Sequence, residues 1–183
     1  MNELGRIETL AQQIGFCHSA PMNMAVLQAH DEIRALCSQN TCRAYGTTWA
    51  CPPACGSVDH WRSVFADCFA GFLVQTTAHL ADDFDSDAIA QAERLHKARF
   101  DTLARQARMI FPGQAVPLGA GGCRQCARCT YPSRPCRYPH RLIVSMEACG
   151  LLVSEVCEQA GLPYYYGPRT LTYTSCILLR KKA

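Results

Sequence analysis

Residues Gly119–His140 read GAGGCRQCARCTYPSRPCRYPH, a stretch that sets Cys123, Cys126, Cys129 and Cys136 among arginines, glycines and prolines. Such a composition interrupts regular structure, so the stretch is a loop between the elements that build the core. Cys123, Cys126 and Cys129 form C-x2-C-x2-C, and Cys136 follows after six residues. Three thiolates at that spacing let one loop wrap a cubane, each reaching a different iron, and bacterial ferredoxins begin with the same compact triple. Cys136 is the candidate fourth ligand, with Pro139 stiffening the exit, but the assignment stays open because a bacterial ferredoxin sends its fourth cysteine to the other cluster after a shorter gap. Structural zinc is the alternative, but zinc sites favour two separated C-x2-C pairs or a histidine admixture. The spacing therefore favours a [4Fe-4S] cluster.

Working outward, a second group lies upstream in LCSQNTCRAYGTTWACPPACGSVDHW, with Cys37, Cys42, Cys51 and Cys55. Gly46, Pro52, Pro53 and Gly56 make this a loop as well. The spacing x4, x8, x3 matches no ferredoxin pattern. Four thiols within nineteen residues still suit a second [4Fe-4S] cluster, with structural zinc again the alternative. One variant uses Cys37, Cys42 and Cys51 as ligands and leaves Cys55 aside, so that one iron stays open to a substrate.

The remaining chain supplies a modest scaffold. Its 183 residues fit one domain with room for a real core. Helices are expected at 3–14, on Leu4, Ile7, Leu10 and Ile14, and at about 22–36. CFAGFLVQTT (Cys68–Thr77) reads as a buried strand. Ser86 offers an N-cap for a helix over Asp87–Ile110, whose apolar face runs through Ile89, Ala92, His96, Phe100, Leu103, Ala107 and Ile110. FPGQ stops it. A further helix is expected over Ser145–Ala160, ended by Gly161, and a strand over Leu171–Leu179. The fold class is α/β or α+β: a small sheet packed by helices, with two cysteine-rich metal-binding loops.

Composition narrows the function classes. No apolar run approaches the roughly 20 residues of a membrane helix, and the N-terminus lacks a signal pattern, so a cytoplasmic protein with no membrane partner is expected. A net charge of +3 gives no case for nucleic acid. Thirteen cysteines, an odd number, do not suit a secreted disulfide framework. Cys17, Cys68, Cys149, Cys157 and Cys176 read as packed small side chains, and His96 as a satisfied core histidine. His140 is placed to donate to a cluster sulfur. Ser145 would cap its helix, with Glu147 in the first turn, and Tyr164, Tyr165 and Tyr166 suit a pocket or a strand edge. Arg43, Arg124, Arg128, Arg134, Arg137 and Arg141 can offset cluster charge, bind a small anionic substrate, or receive an acidic redox partner protein.

With both loops in view, the chain resembles the predicted metal-binding proteins grouped as domain of unknown function 2284. The residues carrying the resemblance are CRAYGTTWACPP (Cys42–Pro53), CRQCARCTYPSRPCRYPH (Cys123–His140), SMEACGLLVSEV (Ser145–Val156) and a glycine-aromatic tail before the last strand. The resemblance implies metal binding, most simply iron–sulfur, in prokaryotes that often live anaerobically, and names no substrate. Three function classes follow. One is an electron-transfer protein with two [4Fe-4S] clusters. Another is a cluster-dependent enzyme with an open iron at the first loop, and the third is a zinc-stabilised binding module. No nucleotide loop, serine–histidine triad or radical-type C-x3-C-x2-C motif singles out a reaction.

Overall fold

A computed structural model describes residues 2–82 and 84–182. In chain order it contains α1 (Glu3–Ile14), β1 (His18–Pro21), α2 (Asp31–Leu36), α3 (Val58–Ala66), β2 (Cys68–His79), α4 (Ser86–Ile110), β3 (Ala115–Gly119), β4 (Val144–Ser145), α5 (Val153–Gln159) and β5 (Thr170–Arg180). The five strands form one sheet in the order β1-β2-β5-β3-β4. Every neighbouring pair is antiparallel except β3 and β4, which run parallel. The fold is α+β, a five-stranded sheet packed against five helices.

Two long strands carry the centre. β2 pairs β5 from Cys68 against Arg180 to His79 against Thr170. Side chains alternate along each strand, so Phe72, Val74, Ile177 and Leu179 face α1 and α4, where they meet Ile7, Ala11, Phe100 and Leu103. Leu73, Cys176 and Leu178 face the opposite way, onto Trp61 and Phe65 of α3 and Val153 and Val156 of α5. Burial on both faces is why CFAGFLVQ and CILLR read as continuous apolar runs.

Several expected boundaries move, each for a local reason. Residues 22–36 do not form one helix. Asn23 caps a single 3-10 turn, Met24–Val26, and the chain then extends until α2 begins at Asp31. His30 N–H donates to Gly150 C=O at 2.8 Å, so the segment is tied across the fold instead of to its own helical ladder. Asp85, not Ser86, caps α4, its carboxylate accepting from Ala88 N–H at 3.1 Å. The expected helix from Ser145 is also shortened: Ser145 belongs to β4, a 3-10 turn covers Glu147–Cys149, and α5 starts at Val153. Gly150 interrupts it with φ of 89°, and a Cβ there would stand 2.9 Å from His30 C=O. Gly161 does sit just past α5 with φ of 71°.

Of the cysteines expected to be packed, Cys68, Cys149, Cys157 and Cys176 are buried. Cys17 is exposed instead, its thiol 3.8 Å from Thr77 C=O. It lies just before β1, an edge strand of the sheet. Among the described residues no helix is long and apolar enough to cross a membrane.

Candidate metal centre

The second cysteine loop is held at both ends and along one side. Its ends are β3 and β4, paired in parallel through Leu118–Val144 and Gly119–Ser145, and Met146 N–H returns to Gly119 C=O at 3.0 Å. Its side is held by α4. Glu93, Lys97, Asp101 and Arg108 fall on one stripe of that helix at helical spacing. Lys97 Nζ donates to Gly122 C=O at 2.7 Å. Arg124 forks onto both oxygens of Glu93 at 3.0 and 3.1 Å. Gln125 and Arg141 both donate to Asp101, and Arg108 donates to the carbonyls of His140 and Leu142 at 2.8 and 2.9 Å. Burial works to raise the Glu93 carboxyl, but Lys97 and Arg124 outweigh it and hold that group below the usual carboxylate range. Arg124 and Arg141 are therefore anchors. Sequence reading missed this stripe, although its signal, a polar face opposite the apolar one, was present in α4.

The first loop leaves α2 at Cys37. Arg34 fixes that departure by donating to Ala148 C=O and, at 2.7 Å, to Gly56 C=O. Asn40 accepts from Tyr45 N–H at 3.0 Å, and Gly46 N–H donates to Pro52 C=O at 2.8 Å, which folds the segment back on itself. The two loops also touch each other. Trp49 meets the Tyr131 ring edge-on at 5.0 Å and donates to Arg134 C=O at 3.1 Å. A Cβ built on Gly122 would lie 3.4 Å from Ala44 Cβ and 4.0 Å from Cys51 Sγ. Gly122 immediately precedes Cys123, so the two cysteine groups are neighbours in space.

Each group opens onto its own cavity. Cys123, Cys126, Cys129 and Cys136 all line one of about 530 Å³, with Trp49 and Arg137 on its wall. Cys37, Cys42 and Cys51 line another of about 400 Å³, together with Glu147 and Tyr164. Cys55 does not line that second cavity. It is buried, its thiol 3.8 Å from Ala148 C=O, and it borders a groove beside Trp61. Among the described residues no three or more His, Cys, Asp or Glu side chains are gathered tightly enough to hold a metal ion. The thiols stand around cavities instead, a donor set of four and a donor set of three, both of the soft type that suits iron–sulfur or zinc. All thirteen cysteines are free of disulfides.

The chain belongs to a family of predicted metal-binding proteins. The family model, Predicted metal-binding protein (DUF2284), matches residues 21–179, which include both cysteine loops and leave out α1. No curated protein and no solved structure matches the chain. The metal binding predicted for this family places weight on the electrostatics of the thiols. Burial raises Cys37 and Cys51 above the ordinary thiol range and pushes Cys55 up to about 11. Burial likewise raises Cys123, reinforced by its neighbours Cys136, Cys126 and Cys129. A metal has to displace those protons on binding.

The remaining expected residues sort clearly. His96 is fully buried, with Nδ1 3.0 Å from Thr76 Oγ1 and Nε2 2.8 Å from Ser175 Oγ, a satisfied core histidine. His140 is exposed, with its carbonyl taken by Arg108. Ser145 Oγ accepts from Ala148 N–H at 3.1 Å, so it caps the 3-10 turn in place of a long helix. Tyr166 donates to Gln75 at 2.7 Å and stacks on His18, whereas Tyr164 borders the first cavity.

Proposed function

We propose that this chain is an iron–sulfur protein that carries two [4Fe-4S] clusters and transfers electrons. Cys123, Cys126, Cys129 and Cys136 would hold one cluster; Cys37, Cys42 and Cys51 would hold the other. The observation that carries this is the set of four thiols on the wall of one cavity of about 530 Å³. A zinc ion instead wants four donors about 2.3 Å from a single point. When bound, such a cluster supplies one-electron chemistry at a potential tuned by nearby charge and hydrogen bonds. Thirteen free thiols suit a reducing, cytoplasmic compartment. Anaerobic purification followed by iron, sulfide and zinc analysis is the test, with about eight irons and eight sulfides per chain expected. A colourless protein with zinc alone would sink the proposal in favour of a zinc-stabilised binding module.

The partner is read from charge. No Asp or Glu occurs between Asp101 and Glu147. Within that span Arg128, Arg134 and Arg137 are exposed and make no ion pair among the described residues. They form a basic rim beside the second cysteine cavity, suited to an acidic redox protein or another anionic partner. Electron delivery from an acidic donor protein should slow by about tenfold or more between low and high salt. Arg128→Gln with Arg134→Gln should flatten that dependence; an unchanged salt profile would remove the rim from the docking surface.

A second reading, a cluster-dependent enzyme, is favoured by the cavity over Cys37, Cys42 and Cys51. Three thiols, and not Cys55, face it, so a fourth coordination position there is left to a ligand from the cavity.

A further inference from the structure

The cavity over Cys37, Cys42 and Cys51 has a chemistry of its own. Leu36, Tyr45, Leu152 and Tyr164 are 55, 37, 41 and 53 % exposed, and all four line it. Four large apolar or aromatic side chains open to solvent around one concavity are the usual mark of a ligand site. Leu151 completes the apolar wall.

The polar side is narrow. Glu147 is the one charged residue among those lining the cavity. Glu147 is exposed, and the protein packed around it raises its carboxyl above the usual carboxylate range by desolvation. No ion pair among the described residues involves it. Arg34 is committed to the carbonyls of Ala148 and Gly56. The thiols on the floor add further negative character once they bind metal. An anionic guest would meet like charge throughout, and a purely apolar one would leave a carboxylate without a partner.

We propose that this cavity binds a small organic cation, a primary amine on a compact apolar body. The ammonium group lies at Glu147, where its hydrogen bond is charge-assisted. The apolar body lies against Leu36, Leu151 and Leu152, and the rings of Tyr45 and Tyr164 offer their faces to positive charge. The molecule thus divides its partners by sign: anions at the arginine rim of the second loop, a cation over the first. The inference rests on the reading of Cys37, Cys42 and Cys51 as a metal site for the character of the cavity floor.

The test uses protein purified anaerobically with its metal in place, titrated calorimetrically with cyclohexylamine, cyclohexanol and cyclohexanecarboxylate. These probes share one ring and differ in the head group. Cyclohexylamine should bind at least about tenfold tighter than either of the others. Glu147→Gln should abolish most of that preference, and Leu36→Ser, at an exposed position, should weaken the amine by about threefold while keeping the preference. Equal binding of carboxylate and amine, amine affinity unchanged in Glu147→Gln, or no binding of any probe would each overturn the proposal. Should Glu147→Gln fail to fold, the head-group comparison on the native chain and Leu36→Ser decides. Metal analysis of the same samples separates the two readings. Full metal content without amine binding sinks the amine site alone; selective amine binding by protein lacking iron and zinc sinks the metal reading and leaves the amine site standing.

Discussion

Cys126→Ala should leave the chain folded and remove about half of its iron and sulfide, together with one of two sets of cluster signals. The reasoning is positional. Cys126 is the middle thiol of the C-x2-C-x2-C triple and lines the cavity with Cys123, Cys129 and Cys136. The loop itself is anchored elsewhere, through Glu93 to Arg124, Lys97 to Gly122 and Asp101 to Gln125, so losing one thiol does not release it. The matched control is Cys157→Ala. Cys157 is buried in the core, 3.5 Å from the Gln75 side-chain nitrogen, and lines neither cysteine cavity. That variant should keep its full metal content while losing stability by about 1–2 kcal/mol for the vacated space and the weakened polar contact. Full metal in Cys126→Ala, or half the metal in Cys157→Ala, would overturn the ligand assignment.

The second large effect is a pH dependence centred on His96. Burial lowers its pKa from 6.5 to about 3, with Lys97 and Arg99 adding to the effect. In the unfolded chain the imidazole takes a proton near 6.5, whereas in the folded chain it resists one until about 3. The stability that neutral His96 contributes is thus fully present above 6.5 and drains away as pH falls between those values, at about 1.4 kcal/mol per pH unit. Chemical unfolding at pH 7, 6 and 5 should show this slope in the native chain and a shallower one in His96→Gln. His96→Leu should cost about 2–4 kcal/mol even at pH 7, because the hydroxyls of Thr76 and Ser175 lose their buried partner. Identical slopes in the native chain and His96→Gln would show that another group governs acid unfolding.

What could be read in the sequence was what periodicity and spacing encode. β2, β5 and α4 were legible because two long apolar runs and a 3.6-residue face are local patterns. The second thiol set was legible because one short loop supplies all of it. The misses are non-local. β1 and β4 are short edge strands whose pairing is decided by their neighbours, not by their own four and two residues. The break at Gly150 is set by the approach of His30 from 120 residues away in sequence, which no window of Ser145–Ala160 contains. Cys55, set aside from Cys37, Cys42 and Cys51 in one reading of the spacing, does not line their cavity, and its carbonyl accepts from Trp61 Nε1–H at 2.9 Å. The carboxylate over the first thiol set, Glu147, was visible only as a helix-turn residue, since the cavity around it is assembled from four separate segments.

The close approach of Gly122 to Cys51 has a consequence for anyone transplanting these loops. With Gly122 packed within van der Waals reach of Ala44 and Cys51, neither loop is a self-sufficient cassette. Grafted singly onto another scaffold, the upstream segment would lose the backbone that backs its third thiol, and the downstream segment would lose the surface on which its glycine rests. They form one transferable unit, and the smallest piece that carries both intact also includes α4, whose polar stripe holds the second in place.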